Sequence, residues 1–176
     1  KAANCTACGA DNLYSENQAD GCLTCLEGSF TTGGTTTART SCYECPAGSR
    51  CDGTSSVFEC SAGYFAAEGS SECSPCGSEY QYSGAGASSC SACPAGSFSS
   101  GGNETTRTSF DVCPIGYSCD GGSTPIHCEA GTHAEGGASS CSPCLAGTAS
   151  ASEAANCTAC GADNLYSENQ ASGCLT

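Results

Sequence analysis

The sequence predicts a small, disulfide-rich fold that is mostly irregular, with short β-hairpins arranged as an elongated tandem-repeat rod. Three observations predict it: 20 cysteines among 176 residues, a scarcity of apolar side chains, and extensive internal repetition. A cysteine content above about 8–10% in an exported chain marks a disulfide scaffold.

The composition shows why cystines must take the place of an ordinary core. Leu, Ile, Val and Phe together number 15, and the formal net charge is −14. Without cross-links such a chain stays disordered, because it cannot bury enough apolar surface. One disulfide that closes a loop of about 15 residues contributes roughly 3 kcal/mol. Disulfides persist in oxidising compartments, so we expect an extracellular or cell-surface location.

The repeated element is a CxxC pair followed by a glycine and an aromatic residue, as in Cys90-Ser-Ala-Cys-Pro-Ala-Gly-Ser-Phe98. Turn residues interrupt every apolar run, so we expect no long helix. Short strands are predicted within Gly28–Thr32 and Gly63–Ala66, and a single helical turn over Ser152–Ala155. The seven CxxC pairs are Cys5/Cys8, Cys22/Cys25, Cys42/Cys45, Cys73/Cys76, Cys90/Cys93, Cys141/Cys144 and Cys157/Cys160.

Two nested periods organise the chain. Residues 153–176 repeat residues 1–24 with two differences, at an offset of 152, and a shorter offset of 68 superimposes most cysteines of the first half on those of the second. We therefore divide the chain into a first block (1–72), a second block with an extra 16-residue CxxC module (73–156), and the start of the next copy (157–176). We expect the natural chain to continue through further copies.

Aromatic side chains recur at fixed distances after a cysteine, and we expect them to form a miniature core over the disulfides. A glycine two residues before Phe30, Phe65 and Phe98 allows a turn that a Cβ would hinder. The six residues are Phe30, Phe65, Phe98, Tyr14, Tyr82 and Tyr166.

The CxxC–Pro–x–Gly–x–aromatic string, with 12–16 residues to the next CxxC, resembles the ephrin-receptor-like cysteine-rich repeats. Long arrays of such repeats look like those of protist surface and mastigoneme (flagellar hair) proteins. The resemblance implies that the second cysteine of each CxxC pairs with the first of the next, and that Cys5 reaches back to a preceding copy. The implied pairs are Cys8–Cys22, Cys25–Cys42, Cys45–Cys51, Cys60–Cys73, Cys76–Cys90, Cys128–Cys141, Cys144–Cys157 and Cys160–Cys174.

One cysteine lacks a partner on this scheme. Phe110 stands where the first block has Cys42, so each 152-residue unit holds an odd number of cysteines. One of Cys93, Cys113 and Cys119 should therefore have no intrachain partner. Three alternatives stay open: a free or shielded thiol, an inter-chain disulfide that ties a filament together, and a shifted local pairing.

Catalysis and metal chemistry find little support in the residues. The spacing of Cys5, Cys8, Cys22 and Cys25 is close to that of a zinc ribbon, but zinc ribbons occur in reducing compartments. No strand-then-helix context activates a CxxC thiol, and His127 and His133 belong to no triad or metal motif. We expect no enzyme and no cofactor, with weak surface binding of calcium as the one cation interaction.

The excess of acidic over basic residues also argues against two classes of partner. Only four residues are Lys or Arg, which argues against nucleic acid and anionic membranes as ligands. No apolar run approaches the length of a membrane span.

Sugar is the expected modification. Asn103 lies in a Gly-Gly-Asn-Glu-Thr loop and is the leading N-glycan candidate. Asn4 and Asn156 lie in Asn-Cys-Thr, where a disulfide-bound cysteine hinders the transferase. O-glycans are expected in the threonine-rich loops, at Thr31, Thr32, Thr35, Thr36, Thr37, Thr105, Thr106 and Thr108.

Near-identical repetition favours a structural role. A fibre needs the same contact many times, whereas a receptor needs one distinctive binding face. We expect a glycosylated segment of an extracellular filament or surface fibre that associates with further copies of itself. The alternative is a surface receptor or surface-antigen ectodomain that acts as a stalk or ligand-binding module.

Overall fold

The computed structural model describes residues 6–16, 20–161 and 165–176. Within these ranges the chain forms nine antiparallel hairpins of two short strands each and no helix, which is the fold class that the sequence predicts. Consequently these ranges contain no helix that could cross a membrane. The strands are β1 (Leu13–Tyr14), β2 (Leu23–Thr24), β3 (Ser29–Thr32), β4 (Ser41–Glu44), β5 (Ser49–Cys51), β6 (Val57–Glu59), β7 (Tyr64–Phe65), β8 (Ser74–Pro75), β9 (Gln81–Tyr82), β10 (Ser91–Ala92), β11 (Ser97–Ser100), β12 (Ser109–Val112), β13 (Tyr117–Ser118), β14 (Ile126–His127), β15 (Thr132–His133), β16 (Ser142–Pro143), β17 (Thr148–Ala149) and β18 (Thr158–Ala159).

The two residues inside most CxxC pairs form the second strand of a hairpin. Strand β10 lies between Cys90 and Cys93, and β16 lies between Cys141 and Cys144. Side chains three positions apart on a strand point to opposite faces. The two cysteines of a pair therefore face opposite ways, one toward the loop behind and one toward the loop ahead.

Among the described residues, nine disulfides follow one another along the chain, with Cα–Cα distances of 5.6–5.7 Å. Eight of them join the same residues as the pairs that the family resemblance implies, and the ninth joins Cys113 to Cys119. Cys5 lies outside the described residues. The zinc alternative is wrong for Cys8, Cys22 and Cys25, because their sulfurs are bonded to other sulfurs and cannot be thiolate ligands.

Cystine sulfurs and small side chains make the core. Cys45, Cys51 and Cys128 have no exposed surface, and Ala66 and Ala134 are buried as well. The prediction that the aromatic side chains form the core is therefore wrong. Five of the six aromatic residues are half-buried along the sides of the hairpins, and Tyr166 is 55% exposed. A two-stranded hairpin cannot enclose a ring on all sides.

The strand predictions agree with the structure, whereas the helical turn does not. Strand β3 lies within Gly28–Thr32, and β7 lies within Gly63–Ala66. The helical turn predicted over Ser152–Ala155 is wrong, because Glu153 has a φ of 59°, in the left-handed region that a right-handed helix excludes.

The hairpins fall into two compact units. The first comprises Lys1–Cys76 and Ser83–Cys90, and the second comprises Gly77–Tyr82 and Ser91–Thr176. The longest hairpin of the first unit pairs β3 with β4, and that of the second pairs β11 with β12, each over four residues. These two hairpins occupy equivalent places in the two blocks.

Candidate functional site

A glycine three residues after a cysteine connects one module to the next. Gly28 donates its N–H to the carbonyl of Cys51 at 2.9 Å and accepts the N–H of Cys45 at 2.9 Å. Its φ is 83°, and a Cβ at this position would overlap the carbonyl oxygen of Gly69. Only glycine satisfies both the turn and the close approach. The same pattern of donor and acceptor recurs at Gly48, Gly96, Gly116, Gly131 and Gly147.

A buried serine completes several of these connections. The hydroxyl of Ser150 donates to the carbonyl of Thr132 at 2.9 Å, and the backbone carbonyl of Ser150 accepts from Gly131 at 2.9 Å. In the other unit, Ser83 makes the matching pair of bonds with Tyr64 and Gly63. A small hydroxyl fits here because it satisfies a buried carbonyl without needing space for a larger side chain.

The junction between one 152-residue copy and the next is built in the same way. Ser167, which is 6% exposed, donates to the carbonyl of Thr148 at 2.8 Å and accepts the N–H of Gly147 at 3.1 Å. Gln170 donates its N–H to Cys144 at 2.9 Å. The contacts across the copy boundary are therefore those found within a copy.

The cysteine without a partner among the described residues is Cys93. Its equivalent in the first block, Cys25, is joined to Cys42, but Phe110 replaces that partner. The Cys93 side chain is 8% exposed, and burial raises the pKa of its thiol. Both properties slow oxidation and exchange, since the thiolate is the reactive form. The environment therefore favours the shielded thiol among the three alternatives.

An ion-pair network holds the first block together. The carboxylate of Asp11 accepts the Nε–H of Arg39 at 2.6 Å, the N–H of Ser55 at 3.0 Å and the hydroxyl of Ser55 at 2.8 Å. Thr31, which is 1% exposed, donates its hydroxyl to the backbone carbonyl of Asp11 at 2.5 Å. The bonds from Ser55 and from Arg39 lower the pKa of Asp11. This network was not predicted from the sequence, although Arg39 and Arg107 are repeated at the 68-residue offset.

The second block has the same positions but an incomplete network. Glu79 replaces Asp11 and Ser99 replaces Thr31. Glu79 accepts a hydrogen bond from Ser123, the equivalent of Ser55. The hydroxyl of Ser99 and the Nε–H of Arg107 are buried without a hydrogen-bond partner in the described residues. Such groups are destabilising, because they lose their hydrogen bonds to water and form none within the protein.

Tyrosine hydroxyls add two contacts to carboxylates in the second unit. The hydroxyl of Tyr80 donates to Asp120 at 3.3 Å, and the nearby Asp120 charge raises the pKa of Tyr80. A hydrogen bond to Glu153 raises the pKa of Tyr117. Both phenols stay protonated donors under ordinary conditions, so these contacts are structural.

An apolar patch lies on the second block only. Val112 is 66% exposed and Ile115 is 61% exposed, and Phe110 lies on the same face of β12 as Val112, since side chains two positions apart share a face. We call Phe110, Val112 and Ile115 the apolar patch. The equivalent residues of the first block are Cys42, Glu44 and Ala47, which form no such surface.

The predicted glycan sites differ in accessibility. Asn103 and Asn156 are exposed, whereas Asn4 lies outside the described residues. The side-chain carbonyl of Asn103 accepts the N–H and the hydroxyl of Thr105, at 2.9 and 3.0 Å. The prediction of an O-glycan on Thr31 is wrong, because the Thr31 hydroxyl is buried and donates a hydrogen bond to the backbone carbonyl of Asp11. Of the other threonines, Thr35, Thr36, Thr37 and Thr105 are exposed, and Thr32, Thr106 and Thr108 are half-buried.

The described residues bring together no group of three His, Cys, Asp or Glu side chains that could hold a metal ion. His127 is exposed on β14, and His133 is half-buried with Nδ1 3.2 Å from the carbonyl oxygen of Ala155.

No protein-family model matches the chain, and no curated protein matches it either. The fold itself defines the class: a small disulfide-rich protein of β-hairpins. Nine disulfides indicate an oxidising compartment, so the chain is of the extracellular kind.

Proposed function

We propose that this chain is a structural repeat segment of an extracellular, glycosylated filament or surface fibre of the mastigoneme kind, stabilised by its disulfide ladder. The observation that carries the proposal is the junction between copies. Ser167 and Gly147 make the same bonds across the copy boundary that Ser150 and Gly131 make within a copy.

A junction of this kind can be repeated without limit. Each added copy presents the same donors and acceptors to the next, and heterologous contacts that do not close produce filaments. Arrays in which each repeat contacts mainly its neighbours gain stability as a sum of such contacts. In the first copy, Ser15 corresponds to Ser167 but is only half-buried, so its surface is available to a preceding copy.

The apolar patch offers a lateral contact that recurs once per 152 residues. Val112 and Ile115 are among the most exposed apolar side chains of the protein, and they lie on a chain whose net charge of −14 otherwise opposes association. Covering them against another copy removes apolar surface from water.

The junction can be tested by extending the chain. Residues 128–152 are fused ahead of Lys1, which recreates the sequence of the copy boundary except that Lys1 stands in the place of Glu153. We expect the added Cys144 equivalent to pair with Cys5 and the amides around Ser15 to gain protection from hydrogen exchange. Peptide mapping and exchange measurements check both. An extension that pairs elsewhere, with Ser15 unchanged, would contradict the junction.

The filament itself is tested by electron microscopy of the purified native protein and by sedimentation. We expect fibres, and we expect Val112→Glu with Ile115→Ala to abolish lateral association while keeping all nine disulfides, because Glu44 and Ala47 occupy these positions in the first block. Leu26→Ser, at another exposed apolar position, is the matched control. Monomers at every concentration, in the unmodified protein, would overturn the proposal.

The second candidate is a receptor or surface-antigen ectodomain that acts as a stalk or binds a ligand. One observation favours it: Arg50, Phe58 and Tyr64 give the first block a surface that the second block, with Ser118, Ile126 and Thr132, does not have. A binding face of this kind suits a receptor, and a uniform fibre does not need one.

A further inference from the structure

An open groove lies between two neighbouring hairpins of the first unit, β5–β6 and β7–β8. Its volume is about 690 Å³. The side chains that line it and matter for its chemistry are Arg50 and Phe58 on the first hairpin, Glu59 beside them, and Tyr64 and Glu72 on the second.

The register of β5 and β6 fixes one wall of the groove. Arg50 and Phe58 are directly opposed in the ladder, and the guanidinium carbon of Arg50 lies 4.4 Å from the centre of the Phe58 ring. The cation–π contact orients the planar guanidinium without using its N–H donors. Arg50 makes no salt bridge to any residue in the described ranges.

The other polar side chains of the groove are equally free. Among the residues that the structure describes, the carboxylates of Glu59 and Glu72 and the hydroxyl of Tyr64 make no hydrogen bond, and Tyr64 is bonded only through its backbone. This differs from Tyr80 and Tyr117 in the second unit, which are bonded to carboxylates. The groove therefore combines an oriented donor, two acceptors and a phenol beside an aromatic wall.

The charges select the class of ligand. Arg50 contributes +1 and the two glutamates −2, so the groove carries −1 within a protein of −14. An anionic ligand is repelled. A cationic one meets a Phe58 ring that Arg50 already covers. A neutral ligand with many hydroxyls can accept from Arg50, donate to both carboxylates and lay an apolar C–H face on Tyr64. We propose that this groove binds a neutral saccharide.

The second block provides a natural control for the groove. Its equivalent hairpins place Ser118, Ile126, Thr132 and Ser140 where the first block has Arg50, Phe58, Tyr64 and Glu72. The backbone pairing is retained, but the donor, the aromatic wall and both carboxylates are missing, since His127 also replaces Glu59. Binding should therefore be confined to the first block.

The test is a titration of the isotope-labelled full chain, made without glycans, with the neutral tetrasaccharides cellotetraose, chitotetraose and mannotetraose. We expect amide shifts near Arg50, Phe58 and Tyr64 for at least one of them and none at the equivalent second-block positions. Tetragalacturonate, which is anionic, should bind at least roughly tenfold more weakly. No saturable shift at up to roughly 10 mM sugar, a range that covers millimolar affinities, would overturn the proposal. Equal shifts in both blocks would overturn it as well.

Matched variants separate binding from folding. Replacing Arg50, Phe58 and Tyr64 by Ser, Ile and Thr introduces only residues that the second block already accommodates, and should abolish the shifts with all disulfides intact. Tyr64→Thr alone is the milder variant if the triple change disturbs the fold. Glycosylated protein then distinguishes the source of the sugar: enzymatic removal of its N-glycans should disrupt self-association only if the ligand is a glycan of another copy. Unchanged binding by both variants would contradict the proposal.

Discussion

The first and second blocks share one backbone plan, yet they close their longest hairpins by different means. In the first block a disulfide joins Cys25 on one module to Cys42 on β4. In the second, Cys93 has no disulfide partner among the described residues, and Phe110 packs against Tyr82 with ring centres 5.1 Å apart. The register is unchanged, since Thr31 pairs with Cys42 as Ser99 pairs with Phe110.

This difference shows what each part of the ladder contributes. The hairpin is fixed by the flanking disulfides and by the backbone bonds of the glycines that lie three residues after a cysteine. This follows because β11–β12 keeps its four-residue pairing without a disulfide of its own. The missing covalent link is accompanied by an incomplete polar network around Glu79 and by an exposed apolar patch. We infer that the first block is the more stable of the two, and that the second carries the surface for association.

The largest expected effect comes from exchanging the two closures. Cys42→Phe should lower the free energy of opening the β3–β4 hairpin by about 3 kcal/mol, because it removes a loop-closing disulfide. Phe110→Cys should allow Cys93 to form a disulfide with the introduced thiol, closing a loop of the same 17-residue separation as in the first block. This new link should raise the stability of β11–β12 by up to about 3 kcal/mol. Hydrogen exchange of the two hairpins measures both changes.

Thiol counting provides the control for this exchange. The denatured, unreduced Phe110→Cys variant should show one reactive thiol fewer than the unmodified protein. An equal or larger number would mean that Cys93 cannot reach position 110, and the equivalence of the two hairpins would be wrong.

The second prediction concerns pH. The pKa of Asp11 lies below its ordinary value of 3.8, through its bonds to Ser55 and Arg39. A carboxyl with a lowered folded-state pKa contributes stability that is fully present above its unfolded pKa and is lost as pH falls through the folded one. The first block should therefore lose exchange protection below about pH 4, and Asp11→Asn should remove this part of the acid dependence.

Asp52 supplies the control for that experiment. Its pKa is also lowered, by hydrogen bonds from Thr54, and these bonds do not involve Asp11. Some acid dependence should therefore remain in Asp11→Asn. If the variant and the unmodified chain have the same pH profile, the Asp11 network does not support the fold.

Completing the network of the second block should give a smaller gain. Glu79→Asp with Ser99→Thr copies the residues of the first block, so that Arg107 gains a carboxylate and the buried hydroxyl gains a carbonyl. We expect about 1 kcal/mol of added stability in β11–β12, since two unsatisfied buried groups acquire partners. The single Ser99→Thr variant should give only part of it. A loss of stability in the double variant would show that the backbone around Glu79 differs from that around Asp11.

The sequence predicted the hairpin class because cysteine spacing and strand geometry are linked. A CxxC pair places its cysteines on opposite faces of a strand whatever the intervening residues are. The prediction from sequence failed where the burial or conformation of a residue depends on its surroundings in the fold. Thr31 looks like its exposed neighbours in a polar loop, yet its place on β3 buries it. Glu153 suggested a helical turn because its neighbours have helical propensity, but its backbone is left-handed. The choice of Cys93 as the unpaired cysteine depended on the Cys113–Cys119 closure, which spacing alone left open.

The smallest effect on stability is expected from the sugar, which also distinguishes the blocks. Asn103 corresponds to Thr35, so only the second block has a sequon in this loop. The loop is exposed, and the Asn103 side chain bonds only to neighbours within two residues. Asn103→Gln should therefore remove an N-glycan from the secreted protein, detected as a mass change, while hydrogen exchange in β11–β12 stays the same. Because the loop ends beside β12, the strand that carries Phe110 and Val112, the same variant tests whether the glycan limits association. Faster or tighter association without the glycan would show that the sugar shields the apolar patch, and unchanged association would assign the glycan to another face.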